Sequence, residues 1–325
     1  MIRALVSIGT NSTRLLILDG DRRLAAESRG TRLGAGIGEA GAIDSAARDR
    51  TLAAIDAYVA QAASLGTTAI DAIATSALRR ASDGAAFGGE VAARVGITPR
   101  ILAGTEEATY SFLGATASRS GDASIAVLDA GGGSAELAVD TPSHARSSAA
   151  VRRTISLEIG AVRLAERHRE LLGANALRGD ERQAVERAAR ADAAAVLQPF
   201  SGFRDFEELI VVGGTAFTAA AMIAGGVRDG ATLTRADCER LIGELLRRDL
   251  AARKAMPHIR PQRADILPAG LIVIDEACRI LGIDAFTVSE ADLLQGYLTS
   301  PAFRAVPFGQ SGRYGRRPHR IAPPG

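Results

Sequence analysis

At 325 residues, with 47% apolar and 23% charged side chains, the chain is long enough for two domains that each bury a core, and it reads as globular rather than disordered or fibrous. A net charge of only +2 excludes a molecule that coats nucleic acid with its whole surface, and no uninterrupted apolar run reaches the length of a bilayer span. Cys238 and Cys278 belong to no CxxC or Cys/His cluster and are expected to be reduced thiols, and an N-terminus that passes directly into a strand points to the cytoplasm.

In chain order, a strand over 4–8, a turn, and strands over 14–19 and 22–29 predict a meander with short polar connections. After the glycine-rich stretch 33–38, Asp44 or Ser45 is the expected cap of a helix reaching about residue 65, with Leu52, Ile55, Tyr58 and Val59 on one face. A strand over 69–74, a helix over 85–95, a short strand over 99–102 and a helix over 105–117 capped by Thr105 follow. The order then repeats. Strands are expected over 124–129, 135–140 and 152–157, helices over 160–168 and 180–199, a strand over 208–213 and helices over 215–223, 235–252 and 268–281. Two runs of like order predict an α/β protein of two similar lobes, 1–121 and 122–299, with a site in the cleft between them. Residues 300–325, rich in Gly, Pro and Arg, are expected to form a disordered basic tail.

Three apolar strands run into small residues and hydroxyls: Gly9, Thr10, Asn11 and Ser12; Gly131, Gly132, Gly133 and Ser134; and Gly213, Gly214 and Thr215. Glycine lets the backbone approach an anion, and successive N–H groups with Ser or Thr hydroxyls donate to phosphate oxygens, so the three turns predict one phosphate site assembled from distant parts of the chain. Lys254 is the only lysine, which leaves arginine forks and backbone N–H groups to bind any anion. Glu106 and Glu107 open a helix, where carboxylates serve as simple caps or as chemistry.

The string Ile101-Leu102-Ala103-Gly104-Thr105-Glu106-Glu107-Ala108, with Phe112-Leu113-Gly114 behind it, resembles the ISGxEEA…FLG motif of the exopolyphosphatase/guanosine pentaphosphate phosphatase (Ppx/GppA) family. Residues 8–16, Ala74-Thr75-Ser76-Ala77-Leu78-Arg79, 129–137, 160–164, 213–216 and 288–290 are similar to further blocks of that family in the same order, over roughly residues 1–299. The resemblance implies duplicated ribonuclease-H-like lobes of the actin and acetate and sugar kinase superfamily, around a cleft. It also implies a Mg²⁺- or Mn²⁺-dependent phosphoanhydride hydrolase acting on inorganic polyphosphate or guanosine pentaphosphate. Glu107 becomes the general base, Asp129 and Glu136 the residues at the metal and phosphate end, and Arg79 a phosphate clamp, with the glycine turns opposing one another across the cleft.

Scarcity of aromatic residues favours the repeating anion over a stacked base, and neither nucleic acid nor a membrane is the expected partner; a homodimer is compatible with the family. One position departs. Relatives usually carry Asp where this chain has Ser7, so weaker Mg²⁺ binding is expected, in either a retuned enzyme or a non-catalytic polyphosphate or nucleotide sensor. A kinase of the same fold is a third reading. The chain resembles the family's short form, since His144, His168, His258 and His319 are isolated and form no His-Asp metal motif.

Overall fold

The computed structural model describes residues 1–38, 41–140, 151–226 and 229–308. In the N-terminal lobe, β1 (Ile2–Ile8), β2 (Thr13–Asp19) and β3 (Arg22–Arg29) form an antiparallel meander, followed by α1 (Ser45–Ser64), β4 (Ala69–Ala74), α2 (Ser76–Arg80), α3 (Gly84–Val95), β5 (Arg100–Ile101) and α4 (Gly104–Thr116). Asp44 starts α1 by accepting a bond from Ala47 N at 2.9 Å, as its sequence position predicts. β4 lies parallel to β1, and β5 parallel to β4, giving the sheet order β3-β2-β1-β4-β5.

The C-terminal lobe repeats this order. It contains β6 (Ile125–Ala130), β7 (Ala135–Asp140), β8 (Val151–Leu157), α5 (Ala161–Arg167), α6 (Gly179–Leu197), β9 (Glu208–Val212), α7 (Gly214–Ala224), β10 (Thr232–Thr234), α8 (Arg235–Leu246), α9 (Leu250–Lys254), α10 (Leu267–Leu281), β11 (Ala285–Val288) and α11 (Leu293–Thr299). Its sheet runs β8-β7-β6-β9-β11, with β10 on the outer edge; β6 and β7 are antiparallel, β6 and β9 parallel. The expected helix over 235–252 is two helices, because Asp249 caps a new one by accepting from Ala252 N at 2.8 Å.

Strand periodicity decides which faces are covered. Ala4, Val6 and Ile8 face α1 and α3, whereas Leu5, on the opposite face with Leu16 and Leu18, packs against Leu293, Leu294, Tyr297 and Leu298 of α11. In the second sheet Leu128, Leu137 and Val211 face the core around α10, while Val127, Ala138 and Ile210 meet Ala108, Phe112 and Ala115 of α4. The two inner faces are thus covered by α4, which packs on the C-terminal sheet, and α11, which packs on the N-terminal one. They cross at Gly114 and Gly296: a Cβ on Gly296 would overlap the Tyr110 carbonyl oxygen, and one on Gly114 the Asp292 carbonyl oxygen.

The chain beyond α11 returns to the first lobe, so residues 301–308 are not the disordered segment expected there. β12 (Val306–Pro307) pairs antiparallel with Ala69 and Ile70 of β4, and Arg304 forms a 2.6 Å ion pair with fully buried Asp71, which also accepts from Tyr297 Oη at 2.9 Å. A buried carboxylate needs such partners, and they anchor residues 301–308. Residues 309–325 lie outside the described residues. Among the described residues, no helix is long and apolar enough to cross a membrane.

Candidate functional site

The first two glycine turns are the same structure used twice. Gly9 N donates to Ser12 O at 3.0 Å and Gly131 N to Ser134 O at 3.0 Å, and in each turn a Cβ on the first glycine would sit 2.9 Å from that oxygen. The flanking strands match as well: Ser7 pairs with Arg14 across β1 and β2 as Asp129 pairs with Glu136 across β6 and β7. Ser7 is therefore the counterpart of Asp129, and Arg14 of Glu136. The turns touch across the cleft. A Cβ on Gly133 would lie 2.6 Å from Thr10 Oγ1 and 2.8 Å from Ser76 Oγ, and one on Gly132 3.2 Å from Asn11 N. Only glycine leaves room there.

The third turn divides its residues. Gly213, at φ 99°, brings the backbone to Asp129: a Cβ would lie 3.2 Å from Asp129 Oδ1. Gly214 lies directly under the Arg263 guanidinium, whereas Thr215 turns its side chain toward Gly270 of α10. Ser134 directs its hydroxyl at Glu136.

The two adjacent glutamates separate by role. Glu106 accepts from Ala103 N at 2.9 Å and pairs with Arg100, so it caps α4, which begins at Gly104 rather than after Thr105. Glu107, one residue on, is turned inward, 5% exposed, and accepts from Arg79 Nη1, which also donates to Leu102 O at 2.8 Å. Burial raises the Glu107 carboxyl to about 8, with Arg79 opposing and Asp129 and Glu158 adding to the rise. Burial also raises Asp129, to about 6, helped by Asp292 and opposed by the 2.6 Å bond from Ser111 Oγ. Glu136 is raised well above the carboxylate range by burial, then by Glu107 and Asp129, although Ser156 Oγ donates to it at 2.8 Å.

On the other side, cations crowd one another. Arg263 is lowered to about 10 by burial, then by Arg260 and Arg14, and the only side-chain hydrogen bond it makes among the described residues is a long one, 3.4 Å from Nη2 to Ser12 Oγ. Arg14 Nη1 donates to Asp292 Oδ2 at 2.6 Å. With Gly213 and Gly214, Arg14, Arg260 and Arg263 line a cavity of about 510 Å³ in which Arg260 stacks on Phe217 at 5.1 Å. The site is thus charge-separated: buried carboxylates that repel one another beside three guanidiniums of which only Arg14 has a carboxylate partner among the described residues.

Sequence reading missed Arg263, Arg260 and Asp292, since no local motif distinguishes them, and Ser111, whose position four residues after Glu107 on an apolar helix face was a usable signal. Among the described residues no three Asp, Glu, His or Cys side chains converge closely enough to hold a metal alone. The mutually repelling pair Asp129 and Glu136, opposite each other across β6 and β7, instead fits a hard cation that takes the rest of its shell from water and phosphate. His168 bonds Asp192 at 2.9 Å on the surface, and His144 and His319 lie outside the described residues. Both cysteines are free and buried.

The sequence model of the Ppx/GppA phosphatase family matches residues 19–304. The chain belongs to the Ppx/GppA phosphatase family. It is 33% identical to exopolyphosphatase 2 of Mycobacterium tuberculosis, over 92% of this chain and 98% of that protein. Identity to a guanosine-5'-triphosphate,3'-diphosphate pyrophosphatase of Vibrio atlanticus is 25%, and the match spans 58% of that protein. Among solved structures, an exopolyphosphatase-like protein superposes with a TM-score of 0.81 at 27% identity, covering 93% of this chain and 99% of that one. A Cytophaga hutchinsonii exopolyphosphatase superposes at 0.78 with 24% identity, covering 92% and 96%, and shares the fold. This Ppx/GppA member accordingly has the duplicated two-lobe fold of a phosphohydrolase family.

Proposed function

We propose that this chain hydrolyses the terminal phosphoanhydride of inorganic polyphosphate, with water attacking in line from the Glu107 side. The observation that carries the reading is the charge separation of the cleft. Phosphoryl transfer to water needs a base at the nucleophile and donors around the three equatorial oxygens, and little covalent chemistry from the protein. Glu107 accepts the proton of water once ionised, and the Arg79 guanidinium fixes its orientation. With the Gly9 and Gly131 N–H groups closing their turns, Gly132 and Gly133 on one side and Thr10 to Ser12 on the other supply backbone donors to the phosphate. Asp129 and Glu136 would hold Mg²⁺ or Mn²⁺, which when bound shields the charge of the leaving phosphate. Ser7, a neutral hydroxyl at the position matching Asp129, leaves this cation one anionic oxygen fewer.

Phe217 beneath Arg260 supports a second reading, guanosine pentaphosphate, with the base in the cavity beside Gly214. Phosphate release measured with Mg²⁺ or Mn²⁺ on long polyphosphate, guanosine pentaphosphate and ATP tests both. Preference for polyphosphate is the expected outcome. Release from the nucleotide alone transfers the reading to the second substrate, and tight binding without release from any of them makes the chain a sensor.

A further inference from the structure

Glu158, which follows β8, points across the cleft at the opposite lobe. Its carboxylate lies 3.3 Å from Arg80 Nε and 3.7 Å from Arg79 Nη2, both on α2, and it accepts from Arg163 Nη2 on its own lobe. Arg163 Nη1 is held by the Glu158 carbonyl oxygen at 2.7 Å, which fixes that guanidinium in place. Three guanidiniums therefore converge on one carboxylate that is still 45% exposed. Around them lies a cavity of about 460 Å³ whose walls include Thr10, Ser76 and Gly133 of the phosphate turns, with Arg167 at the far side.

Three donors in this corner, Arg163 Nε among them, lack a hydrogen bond among the described residues. Ser76 Oγ, in a residue only 2% exposed, and Arg79 Nη2 are buried without a hydrogen bond. The Arg163 guanidinium is lowered by burial and by Arg80 and Arg167 despite Glu158, so positive charge exceeds what one carboxylate cancels. An interlobe strut is the plain alternative, but an ion pair this exposed contributes little to stability. A fixed negative charge beside a polyanion site is also unfavourable unless it can be displaced.

We propose that Glu158 is a built-in competitor for a phosphate subsite: its carboxylate occupies the Arg79, Arg80 and Arg163 guanidiniums until a phosphate oxyanion displaces it. The subsite adjoins the reaction centre, because Arg79 gives one nitrogen to Glu107 and turns the other toward Glu158. This rests on the phosphoanhydride reading above. Planar guanidiniums take a phosphate in bidentate fashion better than they share one carboxylate, so ligand wins the exchange at a cost that Glu158 sets.

Glu158→Gln keeps the shape and removes the charge. Calorimetric titration with tripolyphosphate and with orthophosphate, at several salt concentrations, should show binding roughly tenfold tighter than wild type. By analogy with nucleic-acid phosphates, the slope of log affinity against log salt should steepen by about one, since the freed cations now hold counterions that binding releases. KM for phosphate release should fall, read above the Glu107 limb, where losing the Glu158 charge no longer alters ionisation of the base. Glu158→Asp, which keeps the charge but draws it back from Arg80, should tighten binding by less. Tightening for tripolyphosphate marks a substrate subsite, and tightening confined to orthophosphate a product subsite. Unchanged or weaker binding of both anions in either folded variant, with an unchanged salt slope, overturns the proposal. If neither wild type nor variant releases phosphate yet the variant binds more tightly, the role of Glu158 stands and the hydrolase reading fails; release with equal KM in both gives the reverse.

Discussion

Replacing Glu107 by Gln keeps the acceptor for Arg79 but removes the group that takes the proton from water. With the carboxyl raised to about 8, about a tenth of it is ionised at pH 7 and about nine-tenths at pH 9. Wild-type kcat/KM should therefore climb with unit slope toward a limb near 8 and then level. Loss of a general base costs on the order of 10²–10⁴-fold, and the residual activity of Glu107→Gln should lack that limb. Phosphate release at saturating metal, from about pH 6 to 9.5, reads both quantities. Stability supplies an independent check of the same pKa. A carboxyl whose folded pKa is raised contributes stability that is present below its ordinary 4.5 and lost as the pH rises to about 8. The Tm of the variant minus that of wild type should hence grow between pH 5 and 9, pH values taken as about those limits. A Glu107→Gln protein that keeps the rate and the limb, while Glu106→Gln loses them, would refute the assignment of the base.

Glu106→Gln should leave the pH limb intact and cost at most about 1 kcal/mol in thermal unfolding, because it weakens only the cap on Ala103 N and the pair with Arg100. Gly296→Ala should destabilise by about 1–3 kcal/mol, since its methyl meets the Tyr110 carbonyl oxygen, whereas Gly89→Ala in α3, with nothing within 4 Å, should stabilise by roughly 1 kcal/mol. Ser7→Asp should raise the apparent Mg²⁺ affinity in a metal titration of phosphate release, and an unchanged titration would place Ser7 outside the cation's shell.

How much was legible follows from where the signal resides. The strands Arg22–Arg29, Ala69–Ala74 and Ala135–Asp140 match their expected bounds, because the turn formers that flank them are local information. The doubling of the lobes was equally readable, as each copy carries its own glycine turn. Helix α2 escaped because five residues within a motif show no helical period. The return of residues 301–308 escaped for another reason: Pro, Gly and Arg look like a solvated tail until Arg304 finds Asp71, 233 residues away. Arg263 is the same case at the site, since it reaches Ser12 from 251 positions along the chain. Which of Glu106 and Glu107 faces the cleft depended on one residue of helical phase, and the cap on Ala103 by Glu106 and the bond from Arg79 to buried Glu107 distinguish them.

The claim that water is the acceptor is tested most directly by running the reaction on polyphosphate in ¹⁸O-labelled water with Mg²⁺ and analysing the released phosphate by mass spectrometry. The account predicts orthophosphate carrying one oxygen from water per turnover, with the chain shortened from its end. Release without label, transfer only when an alcohol or nucleotide acceptor is added, or no release from a protein that binds the chain tightly would contradict it.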